Sequence, residues 1–263
     1  MTSTILYTQD AGVATITLNR PEKLNTFTPQ GLEEFDAAVR DAARDAAVRV
    51  LVIRGAGRAF SAGYDMVAGA HNTPKTLDED RESQIEHLRR WNSLRELPKP
   101  VIAMVHGYCL GGAVHLCVAC DLVFAASDAV IGAPKIPAGA GFSETMWALS
   151  IGPQLAKYLS FVPGSEISGA EAAAMGFAAR AFAPAELEQG TYAYARRAAK
   201  VPPDLMKIKK QSINRVMDMQ GFRTAMDAGA EWNAIAHYSR GAEQVRETIK
   251  ERGLRGAIDW YNA

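Results

Sequence analysis

Two adjacent glycines that follow a short apolar segment constrain this chain more than any other feature. Val101–Val105 comes after Lys99-Pro100 and is typical of a buried strand, and Gly111-Gly112 lie where an apolar helix is predicted to begin. The first N–H groups of a helix have no partner within the helix, and the helix dipole adds partial positive charge there. Because glycine has no Cβ, another backbone or a ligand can come close. Taken alone, the pattern indicates only a tight turn between strand and helix.

A second segment has the same organisation. Val50–Arg54 is an apolar strand, and it runs into residues 55–66, a turn of mostly small residues that reads Gly-Ala-Gly-Arg-Ala-Phe-Ser-Ala-Gly-Tyr-Asp-Met. Two such turns can direct two backbone N–H groups at one carbonyl oxygen, which is the geometry that stabilises an enolate or a tetrahedral oxyanion in a site shielded from water. The two turns together therefore predict a functional site.

Three segments, in this order, resemble the crotonase superfamily, which is the enoyl-CoA hydratase/isomerase family. They are residues 18–25 (Leu-Asn-Arg-Pro-Glu-Lys-Leu-Asn), 57–65 (Gly-Arg-Ala-Phe-Ser-Ala-Gly-Tyr-Asp) and 107–112 (Gly-Tyr-Cys-Leu-Gly-Gly). The resemblance continues more weakly through Pro134 and Gly139, and it covers nearly the whole chain. It implies a fold of class α/β, a crotonase-like spiral of short strands and helices in ββα units with a C-terminal helical oligomerisation region.

Site residues follow from the same resemblance. The N–H groups of Tyr64 and Gly112 would form the oxyanion hole for a thioester carbonyl. The residues that line the acyl-CoA substrate would be Lys23, Leu24, Thr26, Ala62, Asp65, Met66, Tyr108 and Gly111. CoA would enter only as part of the thioester substrate, with no separate cofactor and no metal, and the chain would assemble as a homotrimer or hexamer.

The acid and base positions depart from the hydratase pattern. A hydratase of this family holds water between two glutamates, one three residues after the oxyanion glycine and the other just after a proline near the next turn. Here those positions hold His115 and Lys135. Since residues three apart share a helix face and side chains lean toward the helix N-terminus, His115 is predicted to lie over the turn that contains Gly112. Its ring can accept or donate a proton near neutral pH; the alternative is a core histidine bonded to backbone.

Lys135 and Glu144 complete the candidate catalytic set with His115. A lysine is a poor base at neutral pH unless burial lowers its pKa, so Lys135 either pairs with a substrate charge or faces solvent. Glu144 lies one position away from the place where some isomerase and dehalogenase relatives carry their working carboxylate. It is the best remaining carboxylate base, and the alternative for it is a structural place at a helix N-terminus.

Charge and cysteine content exclude several classes of function. The 29 basic and 29 acidic residues cancel, so there is no electrostatic case for nucleic acid or an anionic membrane surface as a partner. Residues 1–9 contain no basic segment followed by an apolar one, and we therefore expect a cytoplasmic protein without a secretory signal. Cys117 and Cys120 form a Cys-x-x-Cys pair, but no second Cys/His pair stands at zinc-finger spacing. Together with Cys109, they are expected to be packed free thiols.

The predicted elements divide the chain in two. Short strands alternate with helices up to Pro184, which favours α/β with right-handed crossovers, and the remainder is almost wholly helical. We predict an acyl-CoA-binding core over residues 1–195 and a helical trimerisation region over residues 196–263. Val67–Asp80 suits a mobile flap over the substrate, and the cluster of Lys207, Lys209 and Lys210 suits a solvated basic face.

The resulting hypothesis is an acyl-CoA-processing enzyme that stabilises a thioester enolate with two backbone N–H groups. Its default activity is hydration of a 2-enoyl-CoA, expected to be weak because both glutamates are replaced. Three alternatives stay open: an enoyl-CoA isomerase with Glu144 as base, a hydrolase of C–C or thioester bonds with His115 as base, and a catalytically silent oligomer that binds CoA thioesters.

Overall fold

The computed structural model describes residues 3–66, 76–137 and 139–263, and in them ten strands form two sheets. The strands are β1 (Ile5–Asp10), β2 (Val13–Leu18), β3 (Val50–Gly55), β4 (Ala59–Ser61), β5 (Val101–Val105), β6 (Tyr108–Leu110), β7 (Leu122–Ala126), β8 (Val130–Gly132), β9 (Glu166–Ser168) and β10 (Arg180–Phe182). The helices are α1 (Pro29–Arg44), α2 (Leu77–Glu96), α3 (Gly112–Ala119), α4 (Phe142–Ile151), α5 (Pro153–Phe161), α6 (Gly169–Ala174), α7 (Leu187–Ala198), α8 (Pro203–Met219), α9 (Phe222–His237) and α10 (Arg240–Tyr261).

The larger sheet has the strand order β1-β2-β3-β5-β7-β10, and the smaller sheet has the order β4-β6-β8-β9. Only β1 with β2 and β8 with β9 pair antiparallel; the other pairs of these named strands are parallel. The inner strands β3 and β5 are almost wholly buried, as their unbroken apolar sequences require. From β3 to β8 the strands enter the two sheets alternately, and the expected α/β fold of short strands and helices is confirmed.

The N-terminal end of α2 corrects one prediction. The proposed flap covered Val67–Asp80, of which residues 67–75 lie outside the described residues, but the helix already begins at Leu77. Thr76 accepts a hydrogen bond from the Glu79 N–H, and the Glu79 carboxylate accepts one from the Thr76 N–H. This reciprocal capping box begins the helix inside the predicted flap, so the flap prediction is wrong for residues 77–80.

The helices after Pro184 occur as predicted, although the proposed domain boundary remains a prediction. Helix α7 runs across residue 195 and packs on β3, β5 and β7 of the larger sheet. Helix α9 packs against α2 and α4, where a separate apolar cluster joins the three helices. None of the helices in the described ranges is both long enough and apolar enough to span a bilayer.

All three cysteines are free, as expected. The Cys109 sulfur lies 3.7 Å from that of Cys117, not Cys120, because β6 and α3 pack against each other inside the core. Burial raises the pKa of the Cys117 and Cys120 thiols, which keeps both protonated and unreactive.

Lys210 is buried, which contradicts its assignment to a solvated basic face. Its ammonium donates to the Asp121 carboxylate at 2.7 Å and to the carbonyls of Leu94 and Lys99 at 3.0 and 3.1 Å. Lys207 and Lys209 are exposed, as predicted. Lys210 of α8 therefore links α2 to the residues that precede β5 and β7.

Replacing Lys210 with Met is expected to lower the free energy of unfolding by about 3 kcal/mol, because the partly buried Asp121 carboxylate loses its counter-charge. Urea unfolding measures the loss. Lys207→Met, on the exposed face of the same helix, is the matched control and should change stability by roughly 0.5 kcal/mol or less. An equal loss of stability in the two variants would contradict a stabilising role for the Lys210–Asp121 ion pair.

Candidate active site

The two glycine turns identified in the sequence meet in the structure. Gly63 has a φ of +86°, and a Cβ placed on it would lie 2.8 Å from the nitrogen of Gly112. A Cβ placed on Gly112 would lie 2.5 Å from Cε2 of the Tyr64 ring. Only glycine fits at both positions without displacing its neighbour. The end of β4 and the beginning of α3 are thereby held in contact.

The N–H groups of Tyr64 and Gly112 have no acceptor within the described part of the chain. Gly112 is the first residue of α3, so its N–H has no partner in the helix. On the other strand, Phe27 donates to the Gly63 carbonyl at 2.8 Å and accepts from the Asp65 N–H at 3.0 Å, which leaves the Tyr64 N–H on the opposite side of the bridge. Two free donors thus lie on adjoining turns.

Asn25 lies before α1 and binds the glycine turn between β3 and β4. Its φ of +55° is one that Asn adopts more readily than most residues. The buried amide nitrogen bonds the carbonyls of Ala56 and Ala59 at 2.9 and 2.8 Å, and the amide oxygen accepts from the Arg20 N–H. These hydrogen bonds hold residues 18–25 beside the turn.

Several residues predicted to line CoA lie in this segment or next to it. The Leu24 carbonyl accepts from the Ala62 N–H at 2.9 Å, and Lys23 next to it is exposed. Asp65 forms an ion pair with Arg20 at 3.2 Å and accepts from the Thr26 hydroxyl, so its carboxylate holds the loop together. Of the other predicted lining residues, Met66 is exposed, Tyr108 is half-buried on β6 and Gly111 is buried at the start of α3. Their contact with a ligand stays a prediction.

His115 is buried beside the two turns. Its Nε2 lies 3.1 Å from the Ser143 hydroxyl of α4, and its ring centroid lies 5.3 Å from that of Phe142 and 6.3 Å from that of Tyr64. A side chain, not the backbone, is thus its hydrogen-bond partner. Helices α3 and α4 together place one imidazole and one hydroxyl in contact with each other, with the imidazole near the Tyr64 ring.

His87 is a site residue that the sequence analysis missed. It lies on α2, and its ring centroid is 5.0 Å from that of Tyr64. Trp91, one turn later on the same helix, donates from its indole N–H to the Tyr64 hydroxyl at 3.3 Å. The spacing of His87 and Trp91 put both on one helix face, but the sequence alone did not show that this face meets Tyr64.

Burial keeps the side chains of His115, His87 and Tyr64 uncharged near physiological pH. It lowers the pKa of His115 to about 3, with the neighbouring His87 adding a smaller effect, and it lowers the pKa of His87 to about 4, with Arg90 contributing. It also raises the pKa of the Tyr64 phenol to about 12. Protonating His115 at pH 7 would cost about 5 kcal/mol, since one pKa unit corresponds to about 1.4 kcal/mol. His115 is therefore a neutral donor and acceptor, and not a resident cation.

Glu144 and Lys135 are not brought to this cluster. The Glu144 carboxylate accepts from the Gly141 N–H and caps the first turn of α4, which is the structural alternative stated for it above. The Lys135 ammonium pairs with Glu166 at 2.7 Å and bonds the Gly164 carbonyl at 3.4 Å. Neither side chain has a hydrogen bond to the side chain of His115 or Ser143 in the ranges that the structure describes. Their catalytic roles stay predictions.

The low pKa of His115 predicts acid sensitivity of the fold. The unfolded chain binds a proton near pH 6.5 and the folded chain only near pH 3, so stability is greatest above pH 6.5 and falls as the pH drops between these values. At pH 5 the loss from His115 alone is about 2 kcal/mol. His115→Gln should remove that part of the difference in unfolding free energy between pH 7 and pH 5. Chemical denaturation at both pH values measures it, and an unchanged difference in the variant would refute the assignment.

Comparison with known proteins gives a consistent result. The family model described as enoyl-CoA hydratase/isomerase matches residues 8–249. A Mycobacterium tuberculosis protein named as enoyl-CoA hydratase EchA13 is 31% identical over 92% of this chain and 89% of its own length. The hydroxycinnamoyl-CoA hydratase-lyase of Pseudomonas fluorescens is 32% identical over 95% of this chain and 93% of its own length.

A solved structure agrees in fold. An enoyl-CoA hydratase/isomerase from Novosphingobium aromaticivorans superposes with a TM-score of 0.94 at 35% identity, over 99% of this chain and 95% of that chain. This chain therefore belongs to the enoyl-CoA hydratase/isomerase family, the crotonase superfamily that its three sequence motifs indicate.

Proposed function

We propose that the chain is an acyl-CoA-processing enzyme that polarises a thioester carbonyl between the N–H groups of Tyr64 and Gly112, and that its default reaction is hydration of a 2-enoyl-CoA. The observation that carries the proposal is the pair of free N–H groups on adjoining turns next to a buried, neutral His115. Donors already fixed in position cost no rearrangement when negative charge develops on the oxygen. CoA is part of the substrate, and the acting species is a homotrimer or hexamer.

In the proposed reaction, water adds to C3 of the enoyl group, and the C2–C3 π electrons move toward the thioester to give an enolate oxygen held by the two N–H groups. The Ser143 hydroxyl and His115 Nε2 hold the attacking water. The proton that the water loses passes through the imidazole and is delivered to C2, which regenerates the carbonyl. A free imidazolium would cost about 5 kcal/mol at pH 7, so uptake and delivery of the proton are closely coupled and turnover is slow.

The names of the relatives support water addition as the default. One is named a hydratase and the other a hydratase-lyase of a hydroxycinnamoyl thioester. The isomerase alternative is less favoured, because Glu144 would have to leave the Gly141 N–H that it caps before it could act as a base. The hydrolase alternative is less favoured, because neither of these two relatives is named a hydrolase.

The test is turnover of a mixed panel of enoyl, hydroxyacyl and oxoacyl CoA thioesters by the purified protein, followed by mass spectrometry. Gain of one water on an enoyl thioester supports the proposal. Release of free CoA or of a cleaved chain would replace it with the hydrolase, and a shifted double bond would replace it with the isomerase. Binding without any product would identify the silent CoA-thioester-binding oligomer instead.

A further inference from the structure

A pocket separate from the candidate active site lies between the C-terminal end of α2 and one side of α8. Its volume is about 280 Å³, which corresponds to roughly nine water molecules at about 30 Å³ each. The charged side chains that line it are five basic and two acidic ones: Arg95, Lys207, Lys210, Arg215 and Arg223, with Glu96 and Asp218. The pocket is therefore large enough for a small molecule, and its charged lining is predominantly basic.

The two carboxylates of the pocket are already paired with cations. Asp218 forms ion pairs with Arg95 at 2.9 Å and with Arg223 at 3.1 Å. Glu96 pairs with the same Arg223 at 3.1 Å. Arg95 is buried, and it also donates to the Asn214 carbonyl at 2.8 Å. These contacts hold the end of α2 and the side of α8 in a fixed arrangement around the pocket.

The acceptors at the C-terminal end of α2 are bonded to side chains of α8 as well. Asn214 Nδ2 donates to the Arg95 carbonyl at 3.2 Å. The buried ammonium of Lys210 is bonded to the Leu94 carbonyl and to the Asp121 carboxylate. Protein donors therefore offset the partial negative charge of this helix terminus, and it does not repel an anion from the pocket.

Three side chains of α8 keep unpaired donors at the pocket. They are Lys207, Gln211 and Arg215, which follow one another at spacings of four residues and so lie on one side of the helix. None of these three side chains has a hydrogen bond or an ion pair within residues 3–66, 76–137 and 139–263. Two cations and one amide are thus available to a ligand, whereas the carboxylates beside them are already paired.

The chemistry of these donors favours a phosphate group. A phosphate ester carries a charge of about −1.5 to −2 at neutral pH, which matches two unpaired cations, whereas a single carboxylate would leave one of them unpaired. A guanidinium binds phosphate oxygens through two N–H groups, and an ammonium binds them as a point charge. Leu97 and Pro98 line the α2 side of the pocket with apolar atoms. An anionic group joined to an apolar portion is complementary to this lining.

The pocket and the glycine turns lie at opposite ends of β5. That strand begins at Val101, four residues after Leu97 of the pocket, and it ends at Val105, before the turn that contains Gly112. Five residues of strand span about 15 Å. A ligand in the pocket and a thioester at the glycine turns therefore occupy different places.

We propose that the pocket between α2 and α8 binds a small organic phosphate, with Lys207 and Arg215 holding the phosphate group and with Leu97 and Pro98 contacting the organic part. The inference goes beyond the proposed function and does not depend on it, because no residue of the pocket belongs to the predicted acyl-CoA site. A cationic ligand is disfavoured, since both unpaired charges of the pocket are positive.

The test measures binding of phenyl phosphate and of inorganic phosphate by isothermal titration calorimetry, with and without butanoyl-CoA. Both anions should bind, and phenyl phosphate should bind about 5-fold more tightly, because its ring also covers apolar atoms of Leu97 and Pro98. Butanoyl-CoA should leave both dissociation constants unchanged. Equal affinities for the two anions would overturn the assignment of an organic ligand, and displacement of phenyl phosphate by butanoyl-CoA would overturn the assignment of a separate site.

Lys207→Met and Arg215→Met should each weaken binding of phenyl phosphate about 10-fold, because each removes one charged donor. Both residues are exposed, so the variants are expected to fold. Lys209→Met is the matched control, since Lys209 is exposed on the same helix but does not line the pocket, and its effect should stay within about 2-fold. Failure of both anions to bind, or equal weakening in all three variants, would overturn the inference.

Discussion

Gly112→Pro is expected to lower kcat about 10²- to 10³-fold below that of Gly112→Ala, because it deletes one of the two N–H groups that hold the developing oxyanion. Proline is tolerated here as a backbone, since Gly112 is the first residue of α3 and its N–H bonds nothing in the helix. Gly111 before it, with φ of 53° and ψ of −119°, is outside the helical region that a following proline disfavours. Steady-state kinetics on a substrate identified by the thioester panel measure the effect.

The alanine variant is the necessary control for this experiment. Both substitutions place a Cβ against the Tyr64 ring, 2.5 Å from Cε2, so both carry this packing disturbance. Proline in addition replaces the N–H with the Cδ of its ring. Equal kcat values for the two variants, with both shown by circular dichroism to be folded, would exclude the Gly112 amide from the reaction.

His115→Ala is expected to lower kcat by about 10²- to 10⁴-fold while leaving the affinity for CoA thioesters nearly unchanged. The histidine lies beside the reacting carbons in the proposed complex, whereas the predicted CoA contacts include Leu24, Ala62 and Asp65. Rapid-quench kinetics with calorimetric binding separate the two effects. A comparable loss of affinity would assign His115 to substrate binding and not to proton transfer.

Val114→Ala is the control for helix packing. Val114 is the preceding residue of α3, is 1% exposed and belongs to the main core, so its truncation leaves a cavity against the same helix without removing the imidazole. Its kcat should stay within a few-fold of the parent value. If the two variants lost activity equally, disturbed packing of α3 would explain the loss and the proton-transfer role would be refuted.

Local sequence patterns were sufficient to predict most of the fold. The strands predicted at Val50–Arg54 and Val101–Val105 and the helices after Pro184 each depend on residues close together in the chain. The flap prediction was wrong for residues 77–80 although Thr76 and Glu79 have capping-box spacing, because the residues around them are polar and typical of a loop. Apolar periodicity predicted α8, but it could not show that Lys210 points inward to Asp121 on a distant strand.

The sequence predicted the two turns and His115 as members of the candidate site, but not the groups that reach it from other helices. The two glycine turns have a recognisable sequence, and the structure brings them together. His87 and Ser143 reach the same place from helices that are far apart in sequence, and their convergence depends on how α2, α3 and α4 pack. Glu144 was a candidate because it is a carboxylate near the right turn, yet whether such a group points into the site or caps its own helix depends on the backbone of Gly141.

The contact between Gly63 and Gly112 assigns binding of the thioester to backbone N–H groups and leaves acid and base catalysis to side chains, in the proposed reaction. Amide donors are common to all residues except proline, so nearly every exchange of His115, Ser143 or His87 leaves the proposed thioester clamp intact. Only the few changes that move the turns can abolish it. A gene with this layout can alter its acid and base groups in single steps, and each intermediate still holds the same class of substrate while a new reaction is acquired.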